Sequence, residues 1–160
     1  MKYLLGFLMA ALCAMSAQAA VTVIPAAGLS TTFSWTTGIG MADDSFSLAV
    51  AGPSSIAVTL TDGYVPGDEF ALKLDGNLIT WDSAGYVGGY FQGVANSVAL
   101  STGTHQFDIF LTALAPGFTS GGAFANFGAV TAVPEAETYA MLIAGFSLLG
   151  VLSRRKKNQV

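Results

Sequence analysis

His105 is the only histidine of the chain, and the acid nearest to it, Asp108, stands three residues on. In a strand an odd offset sends two side chains to opposite faces, so Asp108 is not placed to orient the imidazole as a Ser/His/Asp hydrolase requires. No Gly-x-Ser-x-Gly nucleophile elbow occurs either. His105 therefore reads as a strand-end residue bonded to backbone or water. The carboxylates raise glycoside hydrolysis, which needs two of them held ~5 Å or ~6.5–9.5 Å apart. Asp43/Asp44 and Asp68/Glu69 are sequence neighbours whose side chains diverge in a strand. No catalytic residue and no cofactor is expected, and the chain reads as a non-enzyme. Asp75 and Asn77 are a weak calcium candidate: Asp75-Gly76-Asn77 supplies oxygen ligands but lacks the residue order of a calcium loop. The simpler reading of those residues is a hairpin turn.

The most distinctive candidate is the stretch from Gly85 to Gly93, read as a loop. It sets Tyr86, Tyr90 and Phe91 among glycines. Two readings stand. The aromatics form a platform on which sugar rings stack, with Gln92 or Asp82 bonding hydroxyls, or they fold back as a satellite core under the loop.

The elements that must position these residues read as strands. Apolar residues alternate at Phe33/Trp35, Phe46/Leu48/Val50 and Ile56/Val58/Leu60, separated by Ser, Thr or Ala. Asp75-Gly76 is a strong two-residue hairpin signal, because the favoured turn needs positive φ at both central positions. It predicts Leu74 opposite Asn77, Leu72 opposite Ile79 and Phe70 opposite Trp81, with the four large apolar residues on one buried face. A strand from His105 to Leu111 buries Phe107, Ile109 and Leu111 and is expected to pair with Val94–Leu100 across the turn between them. Pro116 to Ala132 reads as a last strand from Ala123 to Val130 or as a flexible tether. The class expected is all-β: a single antiparallel β-sandwich or jelly-roll-like domain over residues 20–132.

Composition divides the chain the same way. Lys2, the apolar run Tyr3–Met15 and the small-x-small site Ala17-Gln18-Ala19 form a secretory signal peptide over residues 1–19, with Ala20 as the first mature residue and the Sec translocon as partner. Cys13, the single cysteine, lies in that segment and follows Leu12, where a lipoprotein signal needs a small residue. The body keeps one cation, Lys73, against eight acids, which leaves it near −7. Such a surface repels phosphate backbones and excludes nucleic acid as a partner.

The last 28 residues, 133–160, hold three parts in order. Val133, Pro134, Glu135 and Glu137 form a Pro/acidic motif, an uncharged apolar helix is expected over 138–153, and Arg154, Arg155, Lys156 and Lys157 follow. Cations stay on the cytoplasmic side while the apolar run enters hydrocarbon. At ~1.5 Å per residue the uncharged stretch Tyr139–Leu152 covers roughly 21 Å of a ~30 Å core, so it suits a transient anchor better than a permanent one.

On these residues the segment resembles the PEP-CTERM protein-sorting signal of Gram-negative bacteria that make exopolysaccharide. Val133-Pro134-Glu135, Glu137 to Leu142, the Gly- and Leu-rich helix and Arg154-Arg155 match. Ala136 stands where the family has a second proline. The resemblance implies an exosortase-type enzyme that cuts near Pro134-Glu135, a transient stay in the inner membrane, and release to the cell surface or extracellular matrix in association with exopolysaccharide. A C-terminal tail anchor without processing is the plainer reading. A carbohydrate-binding module built on the Tyr86–Phe91 loop is the alternative function.

Overall fold

The computed structural model describes residues 20–134 and 139–147. The expected signal segment 1–19, Glu135, Glu137 and the basic cluster Arg154–Lys157 lie outside the described residues. Of the helix expected over 138–153, residues 139–147 are helical and exposed. Among the described residues no helix is long and apolar enough to cross a membrane.

The body is a two-sheet β-sandwich. Its strands are β1 (Ala20–Val23), β2 (Leu29–Trp35), β3 (Gly40–Val50), β4 (Ser54–Asp62), β5 (Glu69–Leu74), β6 (Asn77–Ile79), β7 (Ser83–Val87), β8 (Tyr90–Leu100), β9 (Gly103–Ala113), β10 (Gly121–Phe127) and β11 (Thr131–Ala132). One sheet has the order β1-β3-β9-β5-β6; the other runs β2-β10-β4-β8-β7, with β11 against β4. The alternation seen in the sequence is the inward set. Phe33, Trp35, Phe46, Leu48, Ile56, Val58, Leu60, Leu72, Phe107 and Ile109 are all buried between the sheets. Phe33, Trp35, Phe70 and Phe91 contact one another largely edge-on, and Phe127 joins Phe46 and Phe107. Such contacts suit the ring quadrupole and add to area burial.

The Asp75-Gly76 hairpin forms as its turn chemistry requires. Asp75 and Gly76 take φ of 50° and 81°, and Leu72 faces Ile79 and Leu74 faces Asn77. The expected Phe70–Trp81 strand pair does not form, since β6 ends at Ile79. Instead Trp81 Nε1–H donates to the Phe70 carbonyl at 3.2 Å.

Two expectations change, and one left open is decided. β8 and β9 do not pair: β8 lies between β4 and β7, whereas β9 lies between β3 and β5 in the opposite sheet. The turn at Ser101–Gly103 carries the chain across the core, so each strand buries its apolar side against the other sheet. The sandwich is also not wholly antiparallel, because β1 runs parallel to β3. The last strand, one of the two readings of Pro116–Ala132, is present at residues 121–127. They form β10, hydrogen-bonded on both sides by β2 and β4.

Candidate functional site

The glycine-rich stretch is a hairpin and not a loop. Gly88 and Gly89, at φ 62° and 91°, make its two-residue turn, and Tyr86 pairs with Phe91 across β7 and β8. Pairing splits the expected aromatic platform. Phe91 points inward and is 6% exposed, so it belongs to the core. Tyr86 is exposed, and its hydroxyl donates to Glu69 at 2.5 Å, which pushes the phenol pKa up. Asp82 is committed as well, its carboxylate accepting from the Asn96 N–H at 2.6 Å. Only Gln92 and the half-buried Tyr90 keep an outward position.

Asp75 and Asn77 are engaged by the protein. The Asp75 carboxylate accepts from the Gln106 N–H at 2.8 Å and from His105 Nδ1 at 2.7 Å, while the Asn77 amide donates to the Asp75 carbonyl. His105 Nε2–H donates to the Ser101 carbonyl at 2.8 Å. With an acceptor at each ring nitrogen the imidazolium is favoured. The Ser101 carbonyl first, then Asp75, raises the His105 pKa, and His105 in turn lowers that of Asp75. This cluster ties the β5–β6 tip to the β8–β9 crossing, a structural task. Among the described residues no three His, Cys, Asp or Glu side chains gather as a metal site.

What the fold assembles instead is the outer face of the six-stranded sheet. Strand pairing aligns Thr32, Phe124, Thr61 and Gln92 in one row across β2, β10, β4 and β8. The next row sets Ser30, Asn126 and Thr59 side by side. Around them lies an open groove of about 330 Å³. Its polar groups are hydroxyls and amides, already partly ordered: Asn126 donates to Ser30 Oγ at 2.6 Å, and Gln92 to Thr61 Oγ1 at 3.2 Å. A second groove of about 220 Å³ lies along β7, with Gln92 in its lining.

At one end of the groove stands an aromatic pair. Tyr64 and Phe124 stack with centroids 5.8 Å apart and planes 28° from parallel, and they remain 71% and 45% exposed. Each ring lies against a glycine. A Cβ on Gly63 would stand 2.8 Å from the Phe124 ring, and one on Gly122 would stand 3.6 Å from Tyr64. Tyr64 itself holds φ 65° in a three-residue turn closed by the Val65 N–H on the Gly63 carbonyl at 2.7 Å. Positive φ at a bulky residue is strained, and a turn of this hand is rare.

The sequence reading found Gln92 but not Tyr64, Phe124, Thr59, Thr61 or Asn126. A signal was present: Ser30/Thr32, Thr59/Thr61 and Phe124/Asn126 are the polar or odd members of strands whose alternate residues are apolar. Nothing local said that those three strands are neighbours.

No protein-family model and no curated protein matches the chain. Among solved structures it is similar to the pre-peptidase C-terminal domain of a collagenase from Bacillus anthracis, at 10% identity and a TM-score of 0.39, over 70% of this chain and 93% of that one. It is also similar to part of a β-glucosidase from Paenibacillus barengoltzii, at 13% identity and a TM-score of 0.38, over 70% of this chain and 11% of that one.

Proposed function

We propose that this chain is an exported, non-enzymatic protein of the cell surface or extracellular matrix, sorted and processed through a PEP-CTERM signal. One observation supports the reading beyond the sequence motif. The body closes at β11, and its last backbone tie is the Val133 N–H donating to the Pro53 carbonyl at 2.9 Å. The Pro134-Glu135 bond begins where that tie ends. Among the described residues, a cut there removes no strand and no core residue, so the sandwich of residues 20–134 is left whole. A processing site placed inside β10 or β11 would have unravelled the sheet.

The test is expression in a host that has an exosortase, with intact-mass analysis and membrane fractionation. Wild type is expected to yield a body that starts at Ala20 and ends near Pro134. Glu135→Ala, and exchange of Arg154, Arg155, Lys156 and Lys157 for Gln, are each expected to leave precursor in the inner membrane. A wild-type body that always keeps its tail and stays in that membrane would replace the sorting reading with a plain tail anchor.

A further inference from the structure

We propose that the outer face of the six-stranded sheet, between the Tyr64–Phe124 pair and the Ser30–Asn126–Thr59 row, binds a single chain of neutral polysaccharide. The proposal takes its setting, a polysaccharide matrix, from the reading above; its residues come from the groove alone.

Three independent features point to a sugar polymer. First, the hydrogen-bonding groups along both rows are hydroxyls and amides, each able to donate and accept, which is the chemistry that matches sugar hydroxyls. No ionisable side chain lines the groove, so nothing there attracts an ionic ligand, and the body's charge near −7 repels polyanions. Second, an exposed aromatic pair stands beside those rows and offers ring surface against which the apolar face of a pyranose can lie. The pair is built in: glycines at 63 and 122 let the rings lie on the sheet, and Tyr64 is held at a strained backbone angle, φ 65°. A solvated sheet face would need neither. Third, the groove is open and crosses three strands, spanning about 10 Å from β2 over β10 to β4 at the usual strand spacing. An open, crossing path suits a polymer that continues past both edges, whereas a small free sugar is normally enclosed.

The occupant is therefore a neutral glycan chain, and not a second copy of this domain. Two copies meeting on this face would bury the Ser, Thr and Asn groups against like groups, and the core of a stable interface is normally more apolar.

Native affinity electrophoresis tests this with the full chain in a zwitterionic, sugar-free detergent. The gels contain hydroxyethyl cellulose, soluble β-1,3-glucan, galactomannan or dextran, with alginate as the polyanion. At least one neutral polymer is expected to retard the wild type, and alginate is not. Phe124→Ala should weaken that retardation about tenfold or more, the loss typical of a central aromatic anchor. Thr61→Val, which keeps the β-branched shape and removes the hydroxyl, should weaken it measurably, and Tyr86→Ala should leave it unchanged. Thermal melts of the variants confirm folding, and Gly63→Ala supplies a second route by displacing the Phe124 ring without removing it. The proposal is overturned if no neutral polymer retards the chain, if alginate does so more strongly, or if Phe124→Ala and Gly63→Ala both leave retardation intact. It is also overturned if sedimentation shows a dimer that Phe124→Ala dissociates. Because binding is read on purified protein, its failure leaves the sorting experiment untouched, and the reverse holds as well.

Discussion

Gly93→Ala should destabilise this protein even though alanine is the better residue in an ordinary strand. Trp81 follows β6 in one sheet, and its ring lies over Gly93 of β8 in the other. An added Cβ would stand 2.6 Å from Trp81 Cε2 and 2.9 Å from two more ring carbons. Carbon contacts are favourable at about 3.5–4.0 Å, so the indole must retreat by roughly 1 Å. Overpacking of this kind costs about 1–3 kcal/mol. Retreat also strains the Nε1–H bond to the Phe70 carbonyl, worth about 1 kcal/mol. Replacing a strand glycine returns about 0.5–1 kcal/mol through the unfolded chain. The net expectation is a loss of about 1–3 kcal/mol, or a melting point lower by roughly 4–12 °C. The decisive measurement is a double-mutant cycle with Trp81→Ala, read by circular dichroism during urea unfolding. With the ring gone, Gly93→Ala should become neutral or slightly stabilising, a coupling of about 1–3 kcal/mol. Additive effects, or a harmless Gly93→Ala in the wild type, would refute the claim that Trp81 closes the sandwich by resting on that glycine.

The His105–Asp75 pair predicts a pH window. The His105 pKa is raised on folding, so its contribution is complete below the unfolded value and is lost as pH rises through the folded one; Asp75 is lowered, so its contribution is lost as pH falls through its folded value. The pair should stabilise most between about pH 4 and pH 6.5, by the order of 1 kcal/mol given the exposure of Asp75, and Asp75→Asn should flatten both flanks of a melting-point profile. Asp62 acts in the opposite sense, since burial raises its pKa and favours the fold as pH falls, so the comparison must be against wild type at each pH. Leu72→Ala, at a position with 0% exposure between β6 and β9, should cost about 2–5 kcal/mol in urea unfolding, and a loss under 1 kcal/mol would contradict its central place.

How legible this fold was depends on the range of the signal. Alternation is local, and it placed Phe33, Leu48, Val58 and Ile109 correctly because a side chain's face follows from its own strand. The Asp75-Gly76 turn fixed register for the same reason: two residues decide which partners meet. Sheet membership is not local. β8 and β9 adjoin in sequence and carry matching apolar faces, which suits a hairpin and equally an arch between sheets. Their patterns are the same in both cases, since each strand buries one side either way. β10 pairs with β2 across a separation of 96 residues at Asn126 and Ser30, and no composition rule announces such a neighbour. The groove was hidden by that fact, as three strands from distant parts of the chain supply it. The Tyr86–Phe91 stretch misled in a complementary way. Its glycines looked like a loop, but Gly88-Gly89 is a hairpin turn, and pairing then put Tyr86 and Phe91 on the inner face, Tyr86 at the exposed edge strand, and left Tyr90 on the other face.

The two functional readings meet on one strand. β4 accepts β11 at Ser54 and Ser55, where the chain leaves the sheet, and it presents Thr59 and Thr61 to the groove further along. From Ser55 to Thr61 an extended strand covers roughly 20 Å. In a precursor held by its tail, the aromatic end of the groove would thus lie at the far end of β4 from the point where the chain leaves the sheet. The anionic body would also be repelled by anionic lipid, which favours that separation. Polymer could then be engaged before the tail is cut as well as after. The order of events is open to direct measurement: retardation by a neutral polymer should be equal for the full chain and for the released body. Weaker binding by the full chain would mean that the tail covers the groove, and the separation argued from β4 would be wrong.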